Sequence, residues 1–410
     1  MRILIFSELL YPHGGGAELA TWLYAKMLAE KGFELSIITS KFPNEQSFET
    51  IGERIKIYRF PIRALSGTRY YTLANIGILT SNFVTKLIKW SDIVYIPGVW
   101  YSAIPFAKTH KKPVIVHLHN YSIICPTSLM YNFAKQNVGP CSLKSFMLHE
   151  YIEKRRSLPS VIASCFMNEF FGKHFNQLGK IADILICVSK RQAELIINNA
   201  PEVAEKIRVC YNPLPYITSC KKELDKPIFL YLGGDSYVKG FHVFLNASYT
   251  FLKQGNKAKF VLTQNFSLQT KAVLKKLSNI FKDTYYLVGR IKHEEVLDLH
   301  SKAYALIFPS IYEEPLPYAV IEAMLLGTIP IASKIGGVPE IVQGTFAEKM
   351  LFQPGNYEEL AERIEFLSSF SAEQIKDIIQ ELRGSLIKKF DPENTLVKIV
   401  ECLNSGKKNQ

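Results

Sequence analysis

The sequence predicts an α/β protein made of two Rossmann-like domains that face each other across a cleft. Three observations carry that prediction. The chain has 410 residues, too many for one ordinary core at roughly 150 residues per domain. Each half opens with the same order: an apolar strand, a glycine-rich turn and a helical pattern. Between the halves lies YNPLPYITSCKKELDKP, rich in Pro and Lys and without periodicity, which reads as a linker. Open α/β sheets bind ligands beyond the carboxyl ends of their strands, so two facing sheets define a cleft.

In the first half, RILIF (2–6) is a buried strand and GGG (14–16) separates it from a helix. Ala20, Leu23, Tyr24, Met27 and Leu28 follow the i, i+3, i+4, i+7, i+8 spacing of one helix face. Gly32 ends that helix, and LSIITS (35–40) returns as a strand. This βαβ unit implies a parallel sheet with right-handed crossovers. DIVYIP (92–97), VIVHLH (114–119) and ILICVS (184–189) add strands, and Ser189 with Gln192 fits a capping box after the last. The second half repeats the scheme with IFLYLGG (228–234), KFVLTQ (259–264), YYLVG (285–289), ALIFPS (305–310) and IPIAS (329–333).

Composition narrows the class. Hydrophobic residues make up 48% and charged residues 21%, a globular balance that excludes collagen-like and wholly disordered chains. Seven irregularly spaced cysteines in a long chain argue against a secreted disulfide scaffold. Glu8 and the glycines interrupt the opening apolar run where a signal peptide would continue, and no stretch of 18 apolar residues occurs. A cytoplasmic protein is expected, with peripheral contact to the inner face of the cell membrane left open. The net charge of +12 favours an anionic partner.

The first glycine cluster does not fit a dinucleotide-binding dehydrogenase. Gly14 and Gly16 satisfy the first two positions of G-x-G-x-x-G, but Leu19 holds the third and the second strand ends in Thr39-Ser40-Lys41 without a carboxylate. What remains is a glycine run before a helix N-terminus, which can hold an anion. In FPSIYEEPLPYAVIEAMLLGTIPIASKIGGVPEIV (308–342), Glu314 and Glu322 stand eight residues apart. Pro315 and Pro317 predict a helix starting near Leu316 to Tyr318, with Glu314 in the preceding loop and Glu322 in the second turn.

These residues resemble the retaining glycosyltransferases of the GT-B fold, family 4 (glycosyl transferases group 1), over nearly the whole chain. Glu314 and Glu322 look like the E-x7-E motif, followed by EAM-x-x-G (322–327) and GG-x-PE (336–340). LVGRI (287–291), with Arg290, resembles a strand end lining the nucleotide pocket. YLGGDSYVKGF (231–241) resembles the donor diphosphate motif, with Gly233, Gly234 and Lys239. PHGGGAE resembles the glycine loop, with Gly15 and Gly16, and VHLHNYSIICP (116–126) the strand bearing an active-site histidine, here His119.

The resemblance implies an acceptor-binding domain over 1–213, a nucleotide-sugar-binding domain over 214–390, and a C-terminal helix and tail (391–410) returning to the first. It implies His119, Lys239 and Glu314 as catalytic residues. Gly15, Gly16, Gly233, Gly234, Lys239, Arg290, Glu314, Leu316, Tyr318 and Glu322 would bind the donor. Two departures stand out. Gly234 occupies the position where the motif usually carries Arg, leaving Lys239 and the glycine amides, or Arg290 or Lys334, to meet the diphosphate. Pro317 replaces a loop glycine and has no N–H, so Leu316 and Tyr318 must supply amide contacts.

Transfer from a nucleotide-diphosphate sugar leaves a diphosphate whose charge needs neutralising. None of the eight aspartates is separated from another by one residue, so no Asp-x-Asp metal motif exists. No metal and no cofactor are expected, and fixed groups must do the work. His117, His119, Cys125 and Cys141 lack a zinc spacing, and His117 reads as a packed core histidine. A front-face reaction assisted by the leaving phosphate is expected, with Glu314 orienting donor hydroxyls rather than acting as nucleophile.

The expected partners are a UDP- or GDP-linked sugar and a glycan or lipid-linked acceptor. Residues 144–180 add Lys144, Lys154, Arg155, Arg156, Lys173 and Lys180 among Phe146, Met147, Phe166, Phe170, Phe171 and Phe175. That pattern fits either a solvated cationic face over core aromatics or a helix lying on an anionic membrane. No nucleic-acid-binding signature accompanies it. The alternatives are a sugar-nucleotide epimerase on the same fold and a non-catalytic membrane-surface binding protein. Residues 1–215 hold 25 Lys+Arg against 15 Asp+Glu, a surplus of 10, whereas 216–410 hold 24 against 22. The excess therefore points to the acceptor, or to the membrane carrying it.

Overall fold

A computed structural model describes residues 1–61, 75–217, 227–282 and 284–408, without the side chains of Phe171, Phe175, His293, Glu294, Lys407 and Lys408. Residues 218–226 of the predicted linker lie outside the described residues. The first half is an eight-stranded sheet of Arg2–Phe6 (β1), Glu34–Ser40 (β2), Phe48–Ile51 (β3), Ile55–Phe60 (β4), Ile93–Ile96 (β5), Val114–Leu118 (β6), Ile184–Cys187 (β9) and Ile207–Val209 (β10). Tyr131–Asn132 (β7) and Asn137–Val138 (β8) form a separate hairpin. The order is β10-β9-β6-β5-β1-β2-β4-β3, parallel except for the β3–β4 pair.

The second sheet has six parallel strands, β13-β12-β11-β14-β15-β16. They are Ile228–Tyr231 (β11), Lys259–Thr263 (β12), Tyr285–Gly289 (β13), Ala305–Phe308 (β14), Ile329–Ser333 (β15) and Leu351–Phe352 (β16). Strand order reverses between β1 and β5 in one sheet and between β11 and β14 in the other. Loops that diverge at such a switch point leave a crevice for a ligand.

Apolar strands buried on both faces explain why the sheets are parallel and covered by helices. Ile5 of β1 lies opposite Ile37 and Tyr95, all shielded from solvent. Helix Gly16–Glu30 buries the predicted stripe of Ala20, Leu23, Tyr24, Met27 and Leu28, and stops where Gly32 takes a φ of +90°. The last helix, Pro392–Lys408, leaves the second half and packs on the first sheet. There Leu396, Ile399, Cys402 and Leu403 join a core with Ile3, Ile5, Tyr24, Ile115 and Ile184. Each fully buried aliphatic side chain of this kind contributes roughly 1.5–3 kcal/mol.

Two expectations change. Ser189 caps helix Lys190–Asn199 by accepting from the Gln192 N–H at 3.2 Å. The Gln192 side chain does not complete the box, because its Oε1 accepts from the Val188 N–H at 2.8 Å. The basic stretch is a series of helices, Leu143–Leu148, Leu158–Met167 and Lys173–Gly179, joined through single π-helical turns at His149–Glu153 and Asn168–Gly172. Most of its cations are paired within the protein: Arg155 with Asp235, Arg156 with Glu150, Lys173 with Glu169 and Lys180 with Glu202. Phe146 is core, while Phe166 and Phe170 are more than half exposed.

Candidate active site

The loops at the two switch points converge on a cavity of about 260 Å³. It takes Gly16, Ala17, His119, Val188 and Asn212 from the first half, and Lys239, Phe308 and residues 314–319 from the second. Two helices start at its wall. One begins at Gly16 and the other at Tyr318, capped by Pro317. First-turn N–H groups have no partner within a helix, so both ends present positive dipole to the same space.

Lys239 is the side-chain cation here. It follows the β11 turn, and Gly240, with a φ of +73°, bends the chain into helix Phe241–Lys253. A side chain at position 240 would run into the Pro309 carbonyl, so the turn requires glycine for both reasons. Lys239 Nζ donates to Glu314 Oε1 and, at 3.3 Å, to Tyr312 Oη. Burial opposes the ammonium charge, but the Glu314 carboxylate and Tyr312 outweigh it and hold the pKa above the ordinary lysine value. Ser310 Oγ also donates to Glu314, at 3.3 Å. The main chain of Glu314 rests on the Gly336–Gly337 turn, where Gly337 N–H donates to its carbonyl at 2.9 Å and no side chain would fit.

His119 stands one residue beyond β6 and stacks on His117, ring centroids 4.5 Å apart. Burial pushes its pKa down to about 4, so the imidazole is neutral. Its Nε2 is shielded and has no hydrogen-bond partner among the described residues, as is true of Asn212 Oδ1 in the same wall. Buried polar atoms normally find partners, so these two leave the cavity wall able to bond a polar group. His117 lies wholly in the core, Nδ1 2.6 Å from Tyr95 Oη. Among the described residues no three His, Cys, Asp or Glu side chains are grouped to hold a metal ion.

The remaining predicted residues separate. Leu316 and Tyr318 line the cavity, and Tyr318 Oη donates to the Pro213 carbonyl at 2.7 Å. Gly16 presses so closely on Tyr318 that a Cβ there would lie 2.9 Å from its ring. Gly15 lies outside the lining of this cavity, and its N–H donates to Glu18 Oε2 at 2.7 Å. Gly233 and Gly234 line an adjoining space of about 580 Å³ that shares Lys239. Glu322 is buried in the second turn of helix Tyr318–Leu325. Arg290 and Lys334 are exposed and border neither cavity.

Other contributors were hidden in the sequence. Gln192 Nε2 donates to the Asn120 carbonyl at 3.1 Å, pinning the turn that carries His119. Arg191 pairs with buried Glu313 at 2.9 Å. Glu340 accepts from the Lys190 and Arg191 N–H groups at 3.0 and 2.8 Å, capping a first-half helix from the second half. Glu8 sits beyond β1 with Oε1 accepting from the Val99 N–H at 2.8 Å, and burial raises its pKa to about 7. The sequence offers local signals for some of these, Gln192 in a capping-box position and Glu340 in GG-x-PE, but none for the partner each one meets.

Comparison with known proteins matches one family model to each half. Residues 14–215 match the model for Glycosyltransferase Family 4, and residues 217–403 match the model for Glycosyl transferases group 1. An uncharacterized protein in the cps region of Klebsiella pneumoniae is 24% identical over 83% of this chain and 87% of its own. The sucrose-phosphate synthase of Thermosynechococcus elongatus superposes with a TM-score of 0.69 at 17% identity, covering 98% of both chains. Anabaena HepE in complex with UDP-glucose gives 0.64 at 16% identity, covering 99% of this chain and all of its own.

Proposed function

Because this chain belongs to the GT-B glycosyltransferases of the family 4 and group 1 type, we propose that it moves a sugar from a nucleotide diphosphate, UDP- or GDP-linked, to a glycan or lipid-linked acceptor. The observation that carries this reading is the cavity between the halves. One lysine, two helix N-termini and a neutral histidine with an unpartnered nitrogen meet there. The donor lies on the second half, its leaving diphosphate facing Lys239 and the amides of Tyr318 and Ala319. Positive groups placed where charge develops lower the barrier without reorganising. That supports a reaction without a bound metal. HepE, which shares the fold, holds UDP-glucose.

Configuration is retained in this reading. Glu314 is the carboxylate in the cavity, yet it is already bound to Lys239 and Ser310. A carboxylate so engaged suits orientation of donor hydroxyls better than attack on the anomeric carbon. The acceptor hydroxyl then attacks from the face the diphosphate leaves, and the departing phosphate oxygen takes its proton. His119, neutral above about pH 4, contacts the donor sugar beside the reacting carbon.

For the acceptor, the first half offers an exposed apolar ridge of Leu158, Ile162, Phe166 and Phe170, successive members four residues apart. Among the described residues no helix is long and apolar enough to cross a membrane. The ridge fits peripheral seating at the inner face of the cell membrane, where a lipid-linked acceptor would be presented.

A panel of UDP-, GDP- and ADP-sugars, with acceptor glycolipid and with or without EDTA, tests the proposal. Nucleoside diphosphate release should depend on acceptor, survive EDTA and give a product of unchanged anomeric configuration. Donor isomerised without acceptor would make the protein an epimerase. Absence of turnover with any donor would leave the non-catalytic reading.

A further inference from the structure

Lys239 divides two spaces, and the second has an unassigned wall. The space of about 580 Å³ runs over Gly233, Gly234, Gln264 and Asn265 at the ends of β11 and β12. Its far side is closed by Ile152, Glu153 and Arg155, which come from the first half. On the nucleotide-sugar reading proposed above, on which this inference rests, a diphosphate reaching Lys239 from the nucleotide lies against this space. It brings several negative charges, and the Lys239 charge is already shared with Glu314.

The β11 turn disfavours a second cation at Gly234. That residue has a φ of +60°, and a Cβ on it would lie 3.1 Å from the Asn265 carbonyl oxygen and 3.3 Å from Gln264 Cβ. Arg155 approaches from the opposite side. Its own φ is +51°, a left-handed conformation that costs energy in a residue with a side chain and persists only where the surroundings hold it. Here the Lys154 N–H to His149 carbonyl and Arg156 N–H to Glu150 carbonyl bonds, both 3.1 Å, hold the turn.

Glu153 ties this turn to the donor loop. Its carboxylate accepts from Ser236 Oγ at 2.6 Å and from the Tyr237 and Val238 N–H groups at 3.0 and 3.3 Å. Arg155 is thereby positioned on the loop that carries Lys239, although it belongs to the other half. Its Nη2 donates to Asp235, to Oδ1 at 2.9 Å and to the carbonyl at 3.3 Å. Nε and Nη1 have no partner among the described residues. A guanidinium offers five donors in a fixed plane that matches phosphate oxygens.

We propose that Arg155 is the second cation of the diphosphate site, reaching the leaving group from across the cleft in place of a cation at position 234. The site is then complete only with the two halves together.

Inhibition by UDP and UMP (or GDP and GMP, whichever donor is used), measured beside kcat/KM, tests this. Arg155→Ala should weaken nucleoside diphosphate binding and lower kcat/KM by about a hundredfold, while monophosphate binding stays within twofold and Arg155→Lys recovers part of the loss. Asp235→Asn removes the ion pair but keeps the guanidinium, so diphosphate binding should hold or tighten. An equal loss in Asp235→Asn and Arg155→Ala would make Arg155 a latch between the halves and overturn the proposal. Diphosphate binding within twofold of wild type in Arg155→Ala would overturn it as well. Wild-type protein that binds no nucleoside diphosphate would instead defeat the nucleotide-sugar reading, and this inference with it.

Discussion

The glycine turns after β1 and β11 occupy equivalent places in the two halves but serve the cleft differently. The first runs straight into its helix: Gly15 caps it and Gly16 opens it. The second reaches its helix only at Phe241, after Lys239 and left-handed Gly240. One turn offers backbone dipole and a surface small enough for Tyr318 to approach; the other offers a side-chain charge. On the function proposed above, two copies of one architecture thus divide the work of binding an anion.

Removing the charge should break this division most severely. Lys239→Ala is expected to lower kcat by about 10² to 10³, the cost of losing one preorganised donor to a developing anion. Turnover near wild type in that variant would mean that dipole and amides suffice.

Crowding the close approach should cost less. Gly16→Ala puts a methyl 2.9 Å from the Tyr318 ring, which is anchored by its bond to the Pro213 carbonyl. Loss of fit between the halves should reduce kcat/KM roughly tenfold, with little change in thermal stability, since alanine suits a helix better than glycine. Equal falls in activity and melting temperature would show that Gly16 serves folding rather than closure.

The smallest effects concern pH and sharpen the same contrast at the strand ends of the first half. His119 protonates near 4 when folded and 6.5 when unfolded, so the unfolded chain binds more protons in that window. Its contribution to stability is present above 6.5 and is lost as pH falls toward 4. Glu8 has the opposite sign: its folded value is about 7 against 4.5 unfolded, so stability falls as pH rises through that range. Glu8→Gln keeps an acceptor for the Val99 N–H and should raise the melting temperature more at about pH 8 than at about pH 5. An equal shift at both would show that Glu8 is not buried as a neutral acid.

Strands such as RILIF and ALIFPS were legible because a strand covered on both faces is apolar throughout. FETI and IKIYRF were not, because a half-covered edge hairpin alternates with polar residues and is short. Helix Tyr318–Leu325 was legible from Pro315 and Pro317, which set its start, and with it the placing of Glu314 in the loop and Glu322 in the second turn. The partners of those residues were not legible. Arg191 meets Glu313 across 122 positions, and nothing local distinguishes it from its neighbour Lys190. Arg155 stood out only as one member of a basic run, since spacing gives no sign of which cation turns inward. Gln192 had the right type for a capping box, but the Val188 N–H and the Asn120 carbonyl competed for its amide and won.

The last helix bears on how the molecule is made. Leu396, Ile399, Cys402 and Leu403 complete a core otherwise drawn from the first sheet and its first helix, so the first half cannot finish folding when its own strands leave the ribosome. An apolar face over Ile115 and Ile184 waits until some 180 further residues have been synthesised, a figure of about ten to forty seconds at ordinary elongation rates. The half made first is therefore sealed last.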